Sequence, residues 1–181
     1  MRLTYHDLCI RNAEAEDCVQ LAQWWNDGKV MAHAGFPNGL GTTAGEIRGQ
    51  IKDKCDDTSR LLIIEYKGSA IGEMSYSDQG NHTVEIGIKI CSAEHQEKGL
   101  GRTVLSMLIG ELFSMGFTKV ILDTNLTNTR AQHVYEKLGF QKVGVRENSW
   151  KNQLGELQSS VDYELTSEHF VDWTEKRDSR S

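Results

Sequence analysis

The sequence predicts an α/β (α+β) fold, a mixed and largely antiparallel sheet of six or seven strands flanked by about four helices. Three observations predict it. Between Arg60 and Cys91 three strand-length apolar runs follow one another, the first two joined by the tight-turn pair Lys67-Gly68, which is the pattern of an antiparallel meander. Apolar residues then recur at intervals of three and four from Gly101 through Val104, Leu105, Leu108, Leu112 and Met115, a helix set between two strand runs and therefore a crossover between parallel strands. Two further strand runs after Gly139 face each other across a polar turn.

Leu3 to Arg11 reads as the first strand, and Cys18, Leu21, Ala22 and Trp25 follow at helical spacing with the Trp25 side inward. Asn26 to Gly45 is glycine-rich, holds the only proline, Pro37, and reads as a mobile loop. Thr43 with Glu46 three residues on forms a capping box that starts a short second helix through Ile47 and Ile51. The meander strands are Arg60 to Tyr66, Ser69 to Ser77 and Thr83 to Cys91. Gly116 stands where the long helix needs a C-terminal cap, and Lys119 to Asp123 returns as a strand parallel to the one before that helix. Asn128 is placed to cap a helix ending at Leu138-Gly139, after which Phe140 to Val145 pairs with Leu157 to Leu165. Residues 1–170 read as one domain and 171–181 as a polar C-terminal tail that frays.

With 181 residues and 38% apolar content the chain can bury one good core and does not call for a second. Leu61 to Ile64, the longest aliphatic run, is far short of the roughly 20 residues of a membrane span. The start, Met1 to His6, lacks a signal peptide's apolar region. A cytoplasmic protein with no membrane partner is expected. The formal net charge of -6 argues against nucleic acid, whose binding draws on clustered Lys and Arg, and favours a cationic substrate. Cys9, Cys18, Cys55 and Cys91 stand too far apart to suggest a zinc site or redox pair, so no metal is expected and the thiols read as small buried or half-buried groups.

The residues that name a chemistry lie between Glu85 and Phe140. A strand, Val84 to Ile90, leads into Gln96-Glu97-Lys98-Gly99-Leu100-Gly101-Arg102 and then the long helix. Backbone N–H groups at such a glycine turn and in the helix's first turn point outward without internal partners and suit a phosphate-bearing ligand. Downstream stand Asn128, Ala131, Tyr135 and Leu138-Gly139-Phe140.

Together these residues resemble the GNAT superfamily of acetyl-CoA-dependent N-acetyltransferases. Its pyrophosphate loop reads Gln or Arg, two residues, Gly, one residue, Gly or Ala, which Gln96, Gly99 and Gly101 meet in place. The Asn128 to Phe140 series matches the family's second signature, and the resemblance spans about Leu8 to Phe170. Trp24-Trp25-Asn26-Asp27, the stretch Met31 to Gly41, Leu154-Gly155-Glu156 and Tyr163 to Thr166 resemble its ribosomal-protein N-terminal acetyltransferase-like branch. Glu97 departs from the pattern, since a small residue is usual there and an acid faces phosphates.

The resemblance implies acetyl-CoA as acetyl donor, with Ile88, Lys89 and Ile90 hydrogen-bonding its pantetheine arm as an added strand, the loop from Gln96 to Arg102 giving backbone donors to the pyrophosphate, and Asn128 contacting the arm. It implies Tyr135 beside the sulfur as the acid that protonates the leaving thiolate. A protonated amine, pKa about 10.4, must lose a proton before it attacks, so a base is needed. Glu85 is ranked first for that role, with Asp123, Glu73 or a relaying water as alternatives. Each of these acids also has the plain reading of a solvated strand residue or ion-pair partner. The expected acceptor is a small-molecule amine or a peptide N-terminus entering an acidic cleft, attacked directly, with Trp24, His33 and Phe36 as possible pocket residues. A homodimer through edge strands near the C-terminal hairpin is compatible with this reading.

Two other readings stay open on sequence alone. A dinucleotide-binding fold would also use Gly99, Gly101 and Asp123, but its third glycine position is Val104 and an antiparallel meander does not belong to it. A catalytically silent acyl-CoA-binding module would carry the same cofactor loop.

Overall fold

The computed structural model describes residues 1–174. Its strands are β1 (Arg2–Tyr5), β2 (Leu8–Asn12), β3 (Ser59–Tyr66), β4 (Ser69–Gly80), β5 (Thr83–Ile90), β6 (Lys119–Asn125), β7 (Gln141–Lys151) and β8 (Leu157–Thr166). Its α-helices are α1 (Cys18–Trp25), α2 (Gly28–Met31), α3 (Ala44–Lys52), α4 (Leu100–Ser114) and α5 (Thr129–Lys137). The strands form one sheet in the order β1-β2-β3-β4-β5-β6-β8-β7, antiparallel throughout except for β5 with β6. A single parallel pair is too few for the dinucleotide-binding alternative, whose sheet is mostly parallel.

The eighth strand comes from the N-terminus. Leu3 to Arg11, expected as one strand, is a hairpin of β1 on β2 in which Tyr5 pairs with Leu8 and His6 takes the left-handed conformation at φ 50°. The fifth helix, α2, sits in the stretch read as loop, where the Asp27 side chain accepts from the Lys29 backbone N–H at 2.8 Å and caps it. The remaining local expectations follow their chemistry. Thr43 and Glu46 close the capping box at 3.2 and 2.9 Å. Lys67 and Gly68, at φ 51° and 79°, make the primed turn that matches strand twist.

Two cores lie on opposite faces of the sheet. Against one face α4 and α5 bury Val104, Leu105, Leu108, Leu112 and Tyr135 with Leu62, Ile64, Met74, Val84, Ile86 and Leu122. On the other, α1 and α3 bury Cys18, Leu21 and Ile47 with Leu61 and Ile63. Cys9, Cys18 and Cys91 are buried, whereas Cys55 is exposed. The segment read as a fraying tail begins docked: the Val171 N–H donates to Leu138 O at 2.9 Å, the Trp173 N–H to Ser106 Oγ at 3.0 Å, and Tyr5 Oη to Thr174 O at 2.9 Å. Residues 175–181 of that segment lie outside the described residues. No helix among the described residues is long and apolar enough to cross a membrane.

Candidate active site

The sheet opens between its two parallel strands. Thr83, Val84 and Glu85 pair with Lys119, Val120 and Ile121, and beyond Glu85 the ladder stops. From Ile86 to Ile90, β5 pairs only with β4, and β6 pairs along its whole length with β8. The β6-facing side of β5 therefore carries backbone N–H and C=O groups without a strand partner, next to a cleft of about 1220 Å³ that takes lining residues from both faces of the sheet.

Ile88, Lys89, Ile90, Gln96, Glu97, Gly99, Leu100, Gly101, Arg102 and Asn128 all line this cleft, as do Tyr135 and Glu85. Lys98 is exposed and does not. The Gln96 side chain donates to Ile90 O at 2.9 Å, which ties the loop to the end of β5 and leaves that carbonyl engaged. Gly99, the N-cap of α4, has φ 75°. A Cβ at Gly101 would meet nothing within 4 Å, so packing within the protein does not demand glycine there. Thr103 N donates to Gly99 O at 3.4 Å, and the amides of Leu100, Gly101 and Arg102 before it have no intrahelical acceptor. This is a cradle for an anion.

Glu97 sits in the left-handed region at φ 60°, the geometry that favours glycine, and its carboxylate turns outward to Arg130 Nη1 at 3.4 Å. The Arg102 guanidinium stacks on the Trp173 ring, 3.6 Å from its centroid. Asn128 Oδ1 accepts from Ala131 N at 3.3 Å, so its side chain is occupied as the N-cap of α5.

Tyr135 is 7% exposed, packed edge-on against Phe140 and tilted against Tyr163. Burial pushes its phenol up to about 12, with the charge of Asp123 and then Tyr163 adding to the shift. The phenol is therefore protonated at neutral pH. The three acids part company. Glu73, 4% exposed on β4, holds Lys89 Nζ at 3.1 Å. Asp123 at 2.9 Å and Asp162 at 2.8 Å share the Arg146 guanidinium. Glu85 is exposed to the cleft and makes no ion pair among the described residues. Antiparallel register sets it opposite Ser77 and sets Gly87 opposite Ser75, whose Oγ lies 3.0 Å from where a Gly87 Cβ would stand. Cys91 is buried, and desolvation together with Glu73 pushes its thiol up to about 12, so it is not a thiolate nucleophile.

The cleft's far wall comes from α1, α2, α3 and β7. Trp25, Lys29, His33, Ile51 and Lys54 line it, while Trp24 and Phe36 do not; both tryptophans pack on the second core, and Trp25 alone of the two also reaches the cleft. Sequence reasoning missed Trp150, whose indole N–H donates to Ser160 Oγ at 2.9 Å and whose ring fills the space a Cβ at Gly35 would need. It also missed Gln153, which joins the β7–β8 turn to the loop after α2 through Gly35 O at 2.8 Å and Gly39 O at 3.0 Å. No spacing signals either contact. Nor is the lining acidic: Glu73, Glu85, Glu97 and Asp123 face Lys29, Lys54, Arg60, Lys89, Arg102, Arg130 and Arg146, a cationic excess that the net charge of -6 does not foretell. No cluster of three or more His, Cys, Asp or Glu that could hold a metal occurs among the described residues.

Comparison with known proteins gives the same picture. Residues 7–141 match the family model described as acetyltransferase (GNAT) domain. The chain is 27% identical to the L-amino acid N-acyltransferase MnaT of Escherichia coli over 154 residues, covering 79% of this chain and 88% of that protein. In fold it resembles spermidine N-acetyltransferase from Vibrio cholerae in complex with CoA and spermine, with a TM-score of 0.79, 20% identity, and 91% and 98% of the two chains covered. It also resembles RimL, the ribosomal L7/L12 alpha-N-protein acetyltransferase in complex with coenzyme A, with a TM-score of 0.81, 15% identity, and 92% and 98% covered.

Proposed function

Since the chain belongs to the GNAT acetyltransferase family and is an acetyl-CoA-dependent N-acetyltransferase, we propose that Glu85 and Tyr135 transfer acetyl directly to a primary amine, on a small molecule or a peptide N-terminus, at the mouth of the β5/β6 opening. Acetyl-CoA supplies a thioester carbonyl and a thiolate leaving group, so the amide C–N bond forms as the C–S bond breaks. Glu85, the one cleft acid of the expected three without an ion pair among the described residues, takes the first proton the ammonium must lose, directly or through a water. Tyr135, kept protonated by burial, gives a proton to the sulfur and is reprotonated, through water in the cleft, by the second proton that leaves the nitrogen as the amide forms, so that one of the two protons ends on the thiol and the one taken by Glu85 is released to solvent. The neutral, buried thiol of Cys91 supports transfer without an acyl-enzyme.

The observation that carries the reading is the parting of β5 from β6 after Glu85, flanked by the unpartnered first turn of α4. Ile88 and Lys89 offer backbone groups to a pantetheine arm as a strand would, and Gly99 to Arg102 offer amides to the pyrophosphate. Gly101→Leu tests it. A Cβ at this position meets nothing within 4 Å and leucine is the better helix former by up to about 1 kcal/mol, so the variant is expected to fold, as a melting temperature at or near the wild-type value would check. Acetyl-CoA affinity in calorimetry is expected to fall at least about tenfold. Undiminished affinity would place the pyrophosphate elsewhere.

A further inference from the structure

The chain after β8 returns to the first turn of α4, and Trp173, which lies beyond the residues 7–141 that match the family, is where it arrives. Its backbone N–H donates to the buried Ser106 Oγ at 3.0 Å and its indole N–H to Lys137 O at 3.2 Å, so one residue is fastened both to α4 and to the end of α5. Val171 and Thr174 are tied down on either side of it, to Leu138 O and by Tyr5 Oη. The ring packs against the larger core and carries the Arg102 guanidinium 3.6 Å from its centroid.

Arg102 stands at the amide cradle. It lines the cleft, and its Nη2 lies 4.0 Å from where a Cβ on Gly99 would stand. Stacking uses the flat face of a guanidinium and leaves the N–H donors, which lie in its plane, available to an anion. Those of Arg102 make no hydrogen bond or ion pair among the described residues, whereas Arg130 is engaged by Glu97 at 3.4 Å. An arginine loose in solvent must give up its rotamers when an anion fixes it. One already laid against a ring has given up most of them beforehand. We infer that Trp173 is a positioning residue for the acetyl donor, acting through Arg102, whose guanidinium it holds with its donors toward the pyrophosphate. The inference rests on the reading of the α4 turn given above. Trp173 itself does not touch the cofactor.

Acetyl-CoA affinity is measured by calorimetry on the full chain and on Trp173→Leu, Trp173→Phe, Arg102→Ala and the double variant Trp173→Leu, Arg102→Ala, with a melting temperature for each. Arg102→Ala is expected to weaken binding about tenfold and Trp173→Leu about fivefold, whereas Trp173→Phe, which keeps an aromatic face, stays within about twofold of wild type. The double variant is expected to lie within about twofold of Arg102→Ala, because no guanidinium is left to orient. A tryptophan that merely supports the fold would weaken both backgrounds alike, and that result overturns the inference. So does a phenylalanine variant as weak as the leucine one, which would assign the effect to the lost indole bond, or an Arg102→Ala variant that binds as wild type does. The same losses are expected with 3′-dephospho-acetyl-CoA; losses confined to acetyl-CoA would move Arg102 to the 3′-phosphate and overturn its place at the pyrophosphate. Failure of the wild-type chain to bind acetyl-CoA overturns instead the reading of the turn itself.

Discussion

Tyr135 has a buried ring and a hydroxyl without a protein partner among the described residues, which lets its proposed role be tested apart from its packing. Among the described residues its hydroxyl, which reaches the cleft, makes no hydrogen bond, and a hydroxyl without a protein partner adds nothing to stability. Tyr135→Phe is therefore expected to melt at or slightly above the wild-type temperature while kcat falls about a hundredfold and the acetyl-CoA KM stays within about twofold, as thermal denaturation and steady-state kinetics would reveal. A variant with wild-type kcat removes the phenol from the reaction. Glu97 is the opposite case, a residue whose local cost is visible. It holds a left-handed φ that glycine adopts freely and brings a negative charge to the turn proposed to receive phosphates, in return for an exposed pair with Arg130 that contributes little. Glu97→Gly should tighten acetyl-CoA binding by roughly 1 kcal/mol, about fivefold in a calorimetric Kd. No gain would mean that Arg130 already neutralises the carboxylate in full.

At the scale of elements, the helix ends show why short motifs in this chain were readable. Thr43 with Glu46, Asn128, Gly116 and the Lys67-Gly68 turn each act within a few residues of themselves, and each is found doing so. Gly139 does more. It ends α5 at φ 98°, and a Cβ there would lie 1.9 Å from the carbonyl oxygen of His169, where the chain after β8 returns to cover the helix. Gly139→Ala combines backbone strain with a clash against main chain and is expected to cost about 2–3 kcal/mol, read as a lowered urea midpoint at unchanged m-value. A midpoint equal to wild type would show that the 169–171 segment can lift away freely. The misjudged element is equally instructive: the β1–β2 turn at His6-Asp7 contains neither Gly nor Pro, so the usual punctuation of a hairpin was missing and two strands read as one.

For the whole molecule, the tyrosines that close the core set an upper pH limit. Tyr135 and Tyr163 are both raised from 10 to about 12, chiefly by burial, and burial raises Tyr76 as well. The folded state holds these protons more tightly than the unfolded one. Their contribution to stability is fully present below about pH 10 and is lost as pH rises through about 12. Melting temperature measured from pH 8 to 12 is expected to be flat at first and then to fall steeply above pH 10, less steeply in Tyr135→Phe. A curve that stays flat to pH 12 would show that these phenols ionise without unfolding the protein.

From the sequence alone came the order of the strands and helices apart from the β1–β2 split and α2, the glycine turn from Gln96 to Arg102, the second signature ending at Phe140, and with them the family, because periodicity, capping and turn chemistry operate over a few neighbouring residues. Which carboxylate stays available was decided only in three dimensions. Glu73 and Asp123 are claimed by Lys89 and Arg146 across strand register, 16 and 23 residues away, and no local pattern encodes that pairing. The same holds for the choice of Trp25 over Trp24, for the docking of Trp173 on Arg102, and for a cationic cleft in an acidic protein. Net charge is a sum over the whole surface, whereas a cleft draws its charge from the few side chains that strand register and helix packing turn inward.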